Sequence, residues 1–314
     1  MAMVSSRTWY GFRDQKPSVG HPTVRASLIA SSHCGRCGSC TANRTPGSLA
    51  GVLRLRDART GARAEVRLAR PGVLRVCAHV RQPPPEAGLT PLRLLLVADL
   101  LARVAELGGL QALTALAIDD PAAVWAEALE RDAGALGIHP PTARTTSRDA
   151  PSSLGGPIDV HLVSRGTNLS PGLDGLPAVV DSAYPGWAGT PANAADQGLP
   201  AGHGRDPLAI RLGLMSFPAD LAARMTGTEL GRAGETLTSW RRQVARWAES
   251  PSRPVPAAAA EAARAAFSDL DTMSVLGLLR DVAEDARLPA GAKFETYVYA
   301  DRVLGLDLAR EIGR

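Results

Sequence analysis

The sequence predicts an α/β fold, with a parallel sheet in the first part of the chain and an α-helical bundle after it. Two observations predict this fold class. A strand, a helix and a second strand follow one another between residues 73 and 118, which is the pattern of a βαβ unit. From residue 207 onward, apolar side chains recur at helical spacing almost to the end of the chain. The 314 residues can bury one large core or two modest ones.

The first predicted elements are a hairpin and the βαβ unit. Two short extended runs, 52–55 and 64–68, flank a turn at 57–61 and predict the hairpin. The βαβ unit consists of a strand at 73–77, a helix at 91–106 that has proline at its start, and a strand at 113–118. A second helix, 121–136, ends at Gly137, a residue typical of helix C-caps. The carboxyl edge of this sheet is where we expect a ligand.

The remaining elements divide into loops and helices. Residues 139–157 and 164–207 are rich in Pro, Gly, Ser and Thr and predict loops, with short strands at 158–163 and 178–180. Amphipathic helices are predicted at 230–249, 256–267, 273–286 and 294–312. We therefore predict a disordered basic tail over 1–47, an α/β domain over 48–206 and a helical bundle over 207–314.

The positive charge is concentrated in the predicted tail. The chain has a formal net charge of +4, but residues 1–48 alone carry +5. The remainder, with 29 basic and 30 acidic residues, is nearly neutral and predicts no polyanion-binding surface. RNA binding, if the chain has it, is therefore expected of the tail.

No segment has the composition of a membrane span. The most apolar stretch, 92–107, contains Arg93, Asp99, Arg103 and Glu106 and predicts an amphipathic helix instead. The first thirty residues contain no continuous apolar core of a signal peptide. We expect a cytoplasmic protein without membrane contact.

The tail contains a cysteine cluster, His33-Cys34-x-x-Cys37-x-x-Cys40. Thiolates at this spacing can bind zinc or an iron–sulfur cluster. A second Cys-x-x-Cys pair, which would complete a structural zinc site, is absent from the sequence. Both interpretations, a metal site and a tail without metal, stay open.

The body of the chain resembles the cysteinyl-tRNA synthetases and the related cysteine ligase of the mycothiol pathway. The resemblance lies in Leu-Arg-Leu-Arg-Asp-Ala-Arg-Thr-Gly at 53–61, Val-Cys at 76–77, the helix at 94–101, Ile-Asp-Asp at 118–120 and Leu-Gly-Ile-His-Pro-Pro at 136–141. Further likeness lies at 206–214, 269–272 and 301–308. The resemblance implies a class I, Rossmann-like nucleotidyl-transferase domain followed by a helical bundle, with ATP as the cofactor.

The signature motifs of that family are degenerate here. Its His-Ile-Gly-His motif falls on Glu86-Ala87-Gly88-Leu89, so only Gly88 is kept, and a carboxylate stands where a triphosphate must bind. Its Lys-Met-Ser-Lys-Ser loop falls within 186–206, which contains no lysine; the only lysines are Lys16 and Lys293. We therefore assign no catalytic residue from the sequence.

The zinc of that family, held by two cysteines, a histidine and a glutamate, is not expected either. Cys77 occupies the first cysteine position, but the body contains no second cysteine, and His161 alone would not complete a site. Cys77 also fits a small buried residue near a strand end. Only 37 residues separate Asp120 from Ile158, where the family carries a long insertion that handles tRNA. We expect neither metal in the body nor tRNA charging.

Four residues are candidates for binding a nucleotide or substrate: Cys77, His79, Gly88 and Asp119. His79 could contact a phosphate or act in acid–base chemistry, or it could be an exposed loop histidine. Asp119 could bind a ribose or a metal. Alternatively, Asp119 or Asp120 is the N-cap of the following helix.

Three functions stay open. The first is a degenerate, synthetase-like pseudoenzyme that keeps a fold for nucleotides or aminoacyl-adenylates and serves in ligand binding or in assembly with a protein partner. The second is an active ATP-dependent ligase that activates a small amino or carboxylic acid. The third is an RNA-associated accessory protein that binds through its tail.

Overall fold

The computed structural model describes residues 53–81, 88–120, 123–167, 174–186 and 206–314, and all of them belong to one compact unit. The predicted tail, with Cys34, Cys37 and Cys40, lies outside the described residues, as do Glu86, Ala87 and residues 187–205. Within the described ranges, no helix is both long and apolar enough to cross a bilayer.

The predicted hairpin is confirmed at the start of the described chain. Strands β1 (Arg54–Arg56) and β2 (Arg63–Glu65) pair antiparallel. Gly61 lies in the connecting turn at φ +68°, a left-handed conformation that favours glycine. The Asp57 carboxylate accepts the backbone N–H of Arg59 at 2.7 Å and so fixes the same turn.

Five parallel strands form the central sheet, which confirms the α/β class. They are β3 (Val73–His79), β4 (Gln111–Ala117), β5 (Ala143–Thr145), β6 (Val160–Ser164) and β7 (Leu176–Val180), in the spatial order β5-β4-β3-β6-β7. Numbered by appearance, this order is 3-2-1-4-5, as in Rossmann-like sheets. β3 and β6 are buried over most of their length, which explains their largely apolar composition.

Helix α1 (Thr90–Leu107) connects β3 to β4 and completes the predicted βαβ unit. Every residue from 90 to 102 is buried, because the helix packs against the sheet on one side and helical elements on the other. This enclosure explains why its sequence is apolar almost all round. Two charged residues inside it, Arg93 and Asp99, are also buried.

Further helices follow along the described chain, five of them where the sequence predicts a helix. They are α2 (Val124–Ala135), the single turn α3 (Ala150–Ser153), α4 (Leu208–Met215), α5 (Gly227–Trp247), α6 (Ala257–Ser268), α7 (Thr272–Glu284) and α8 (Ala290–Leu304). A two-stranded parallel sheet of β8 (Ala183–Pro185) and β9 (Ala223–Met225) lies between β7 and α5 in the sequence. The boundary at 206–207 between two domains stays a prediction.

Three details differ from the sequence-based expectations. The helix expected from residue 121 begins at Val124 with Ala123 as N-cap, so neither Asp119 nor Asp120 caps it. The last helix ends at Leu304, eight residues early, where Gly305 adopts φ +59° as a left-handed C-cap. β5, α3, β8 and β9 were not predicted because three or four residues carry too little periodicity.

Candidate functional site

The strand order places a topological switch point between β3 and β6. The chain builds the sheet outward from β3 through β4 to β5, then returns to pair β6 with the other side of β3. In open parallel sheets, ligands bind outside the carboxyl ends of the two strands at such a point. The polar residues that β3 and β6 contribute there define the candidate site.

Cys77, His79 and His161 lie together on one face of the sheet. Cys77 and His79 are two residues apart on β3 and so point to the same face. His161 of β6 is the register partner of Cys77, which places its side chain on that face as well. The opposite face, with Val76 and Ala78, belongs to the main apolar core.

The sequence explains why this face has room for two imidazoles. The Cys77 face contacts a small cluster built largely from short side chains, including Ala115, Ala117 and Ala150. Cys77 is fully buried, His161 is buried and His79 is half-buried at the end of β3. The site therefore becomes more open toward the carboxyl edge.

A line of hydrogen bonds passes through both histidines. His161 Nε2 lies 2.8 Å from the carbonyl oxygen of Asp174, and His161 Nδ1 lies 2.8 Å from His79 Nε2. His79 Nδ1 lies 3.0 Å from the hydroxyl of Ser147, which follows β5. The two rings are stacked, with centroids 5.1 Å apart.

The carbonyl of Asp174 sets the direction of this line. A carbonyl oxygen only accepts, so His161 Nε2 carries a proton and, in a neutral ring, Nδ1 is an acceptor. His79 Nε2 must then donate to it, which leaves His79 Nδ1 to accept from the Ser147 hydroxyl. Every polar atom of both neutral rings is satisfied, and the donation runs from Ser147 inward to Asp174.

Burial keeps both histidines neutral. Burial, together with the smaller effect of the neighbouring His79, lowers the pKa of His161 to about 4. Burial also lowers the pKa of His79. At neutral pH both rings therefore hold the tautomers that the hydrogen bonds require.

Glycine at position 175 allows the chain to bring the Asp174 carbonyl to His161. Gly175 has φ +87°, and a Cβ there would overlap the carbonyl oxygen of Ile158. A side chain at this position would push the β7 segment away from β6. The inner end of the hydrogen-bonded line thus depends on a local feature of the sequence.

The three side chains can be tested against a zinc ion. Their ligand atoms lie within 4.8 Å of one another, and thiolate and imidazole are donors that zinc accepts. The facing histidine nitrogens, however, are 2.8 Å apart. Two nitrogens on one tetrahedral zinc ion lie about 3.3 Å apart, given zinc–nitrogen bonds of about 2.05 Å.

The thiol supply also falls short of the family's zinc site. Burial raises the pKa of Cys77 to about 12, so the thiol is protonated without a metal, and zinc would have to displace that proton on binding. Cys77 is the free cysteine of the described ranges, which therefore contain no second thiol for the family's ligand set. As arranged, the cluster fits a hydrogen-bonded line and not that zinc site. The expectation of a metal-free body stays a prediction.

The other two candidate residues lie apart from this cluster. Gly88 precedes α1, and a Cβ added to it would lie 2.8 Å from the Pro185 ring, so close packing explains the glycine without a ligand. Asp119 follows β4 and is exposed at the carboxyl edge. The structure thus joins Cys77 and His79 to His161, leaves Gly88 in a packing contact and leaves Asp119 at the rim.

Ser147 is the residue of this site that the sequence did not reveal. It is 68 positions from His79, in a Ser/Thr-rich stretch that predicts only a loop. The unpredicted strand β5 is what carries it to the sheet edge. An isolated serine in such a loop gives no signal that could have identified it.

Comparison with known proteins adds no assignment. The chain matches no protein-family model, and no curated protein matches it.

Proposed function

We propose that the protein binds an adenine nucleotide or an aminoacyl-adenylate at the carboxyl edge of its central sheet, as a degenerate protein of the cysteinyl-tRNA synthetase type. The carrying observation is the switch point between β3 and β6, with His79 at the end of β3. Ligands of this fold class bind at that place because loops from adjacent strands separate there. The class I nucleotidyl-transferase assignment and the separate helical bundle are parts of this proposal.

The proposed activity does not include charging tRNA. Of the family's nucleotide-binding signature the chain keeps Gly88, and residues 186–206 offer no lysine for the transition state. Outside residues 1–48 the charge is balanced, which gives a tRNA backbone little to bind. The protein thus holds a ligand or assembles with a partner protein without transferring an amino acid.

Titration calorimetry with the full chain tests ligand binding. ATP, AMP and a sulfamoyl analogue of cysteinyl-adenylate are the ligands, and His79→Ala is the site variant. His139→Ala is the matched control, because His139 is an exposed histidine elsewhere on the protein. We expect binding that weakens about tenfold in His79→Ala, because the variant removes the ring that holds the Ser147 hydroxyl at the edge of the site. No binding of any of the three ligands would contradict the proposal.

ATP–pyrophosphate exchange with each of the twenty amino acids separates binding from catalysis. We expect no exchange, because the groups that stabilise the triphosphate are replaced. Robust exchange with any amino acid would instead favour an ATP-dependent ligase. Deletion of residues 1–47 tests the accessory role in RNA binding, since salt-sensitive binding by the tail would disappear with it.

A further inference from the structure

We propose that Ser147 is a nucleophile for acyl transfer, with His79 as its general base and His161 as the positioning residue. This inference does not depend on nucleotide binding at the same edge. It begins from the hydrogen-bonded line described above, which starts at a side-chain hydroxyl and ends on a main-chain carbonyl.

The distances fit a nucleophile, a base and an orienting group. The Ser147 hydroxyl oxygen and His79 Nδ1 are 3.0 Å apart, and His79 Nε2 and His161 Nδ1 are 2.8 Å apart. Activated nucleophiles lie about 2.6–3.2 Å from their base, which a third group holds in turn. His161 is itself fixed at 2.8 Å on the Asp174 carbonyl. The base therefore has one tautomer, and its free lone pair faces the hydroxyl.

Exposure to solvent increases along the line from His161 to Ser147, which suits an acyl substrate. His161 is buried and His79 is half-buried, whereas Ser147 is exposed at the sheet edge. A substrate can reach the hydroxyl without entering the core, while the base is shielded from bulk water. His79 remains unprotonated near neutral pH because burial lowers its pKa.

Neighbouring serines show why Ser147 is singled out. The hydroxyl of Ser152 donates to the carbonyl of Asp149 at 2.8 Å, and that of Ser153 donates to Thr145 Oγ1 at 3.1 Å. Neither partner is a base of useful strength. The Asp149 carboxylate accepts from the Thr146 hydroxyl at 2.8 Å and helps to fix the loop around Ser147.

The line ends on a neutral carbonyl, and this limits the substrate class. Among the described residues, the partner behind His161 is the Asp174 carbonyl and not a carboxylate that would stabilise an imidazolium on His79, so the base is weaker than in a Ser-His-Asp triad. The substrates are therefore acyl compounds with good leaving groups: activated esters, thioesters or acyl-adenylates. Peptide bonds, whose amine leaves poorly, are not expected to react.

Acyl transfer through Ser147 has two steps, acylation of the serine and hydrolysis of the acyl-serine. The Ser147 oxygen forms a bond to the acyl carbon, and its proton moves to His79 Nδ1. The bond from that carbon to the leaving group breaks, and the leaving group takes the proton from His79. Water then attacks the acyl carbon and gives a proton to His79. The bond from that carbon to the Ser147 oxygen breaks, and Ser147 takes the proton back from His79 as the carboxylic acid leaves.

A fluorophosphonate probe and p-nitrophenyl acetate test this on the full chain. We expect labelling at Ser147, located by peptide mass spectrometry, and ester hydrolysis that exceeds the buffer rate. Ser147→Ala and His79→Ala should abolish both signals. The matched controls Ser152→Ala and Ser153→Ala, which alter serines of the same segment, should leave both unchanged. A melting temperature of Ser147→Ala equal to that of wild type would show that the fold is intact.

His161 is tested by rescue. His161→Leu removes the acceptor for His79 Nε2 and should slow labelling at least tenfold. His161→Asn, whose side-chain oxygen can accept at the same place, should recover most of the rate. If His161 were purely structural, the two variants would differ from wild type only in stability, and their labelling rates would be similar.

The pH profile reports the base. Labelling should rise with pH as His79 loses its proton, and the midpoint of that rise should lie below the ordinary histidine value of 6.5, because burial lowers the pKa of His79. The titratable and charged groups that bear on the pair are Cys77 beside it, the two histidines themselves and the Arg59 guanidinium. Absence of labelling, labelling that persists in Ser147→Ala or His79→Ala, or labelling that a chelator abolishes would overturn the proposal.

Discussion

Arg93 and Arg211 are buried as deeply as His161, but the hydrogen-bond partners of the two arginines differ in kind from those of the histidine. Both guanidinium groups donate to main-chain carbonyls of other segments, and Arg211 also donates to the buried Asp99 carboxylate. The histidine line instead reaches an exposed side-chain hydroxyl at the sheet edge. A buried polar group that binds backbone carbonyls holds chain segments together, whereas one connected to an exposed hydroxyl can also take part in chemistry.

Arg93 illustrates the first kind. Its guanidinium lies within hydrogen-bonding distance of five main-chain carbonyls, at residues 181, 182, 217, 218 and 221. The two shortest contacts, to Leu221 and Pro218, are both 2.6 Å. Burial lowers the pKa of Arg93 to about 10, and Asp181 and Asp220 oppose that shift. The side chain therefore stays charged at neutral pH and ties the segment after β7 to the segment after α4.

Arg211 links parts of the chain that are distant in sequence. It donates to the carbonyls of Leu304 at 2.6 Å and Leu136 at 3.2 Å, and to the Asp99 carboxylate at 2.6 Å. Arg103 pairs with the same carboxylate at 2.8 Å. The ends of α2 and α8 are thus joined to α1 through one buried cation.

The largest effect is expected for Arg93→Met. Several buried carbonyls would lose their donor at once, and we expect a loss of about 3–5 kcal/mol in the free energy of unfolding, as when one partner of a buried charged network is removed. Urea denaturation measures this. Arg232→Met, which changes an exposed arginine on α5, is the control and should stay within about 0.5 kcal/mol of wild type. If the two variants unfold at the same urea concentration, Arg93 does not have this structural role.

An intermediate and pH-dependent effect is expected for His161. Its pKa is about 4 in the folded protein and near 6.5 when unfolded, so the unfolded chain takes up a proton first as the pH falls. The contribution of neutral His161 to the free energy of unfolding is therefore fully present above pH 6.5. It is lost as the pH falls toward 4, by up to about 3 kcal/mol.

His161→Asn provides the reference, because asparagine does not titrate. The free energy of unfolding of wild type minus that of the variant should decrease steadily between pH 7 and pH 4.5. The many carboxylates that titrate in both proteins cancel in this difference. A difference independent of pH would mean that His161 is protonated alike in both states.

The smallest effect on stability is expected for Ser147→Ala. Ser147 is exposed, and its hydroxyl donates one hydrogen bond at the outer end of the line. We expect a change within about 0.5 kcal/mol in the same urea experiment. A loss above 2 kcal/mol would place Ser147 with the arginines, as a structural residue, and so break the distinction between the two regions.

Long, periodic segments could be predicted from the sequence. The strand-helix-strand unit of β3, α1 and β4 was found to within three residues at each end, because its apolar runs are long. Trp240 and Trp247 are seven residues apart on the predicted helix α5, and both rings contact Tyr297 edge-on. Short elements such as β5 could not be predicted, and therefore the position of Ser147, which follows β5, could not be predicted either.

Charged residues were the hardest to place. Arg241 lies on the amphipathic helix α5 but is buried, and it donates to the carbonyls of Leu306 and Asp307. Asp301 accepts the N–H groups of Leu306 and Leu308 at 2.7 and 2.8 Å, which forms the turn after α8. Local periodicity cannot indicate such contacts, because the partners come from other elements or from turns.

The sequence alone was sufficient for the α/β class and for a strand that ends at Cys77. It placed His79 in the following loop, but β3 extends to His79, so the period of two along a strand puts both side chains on one face. The position of His161 beside Cys77 depends on the register between β3 and β6, and that of Ser147 beside His79 on the pairing of β4 with β5. Only the tertiary structure decides such registers, because they follow from packing between segments separated by dozens of residues.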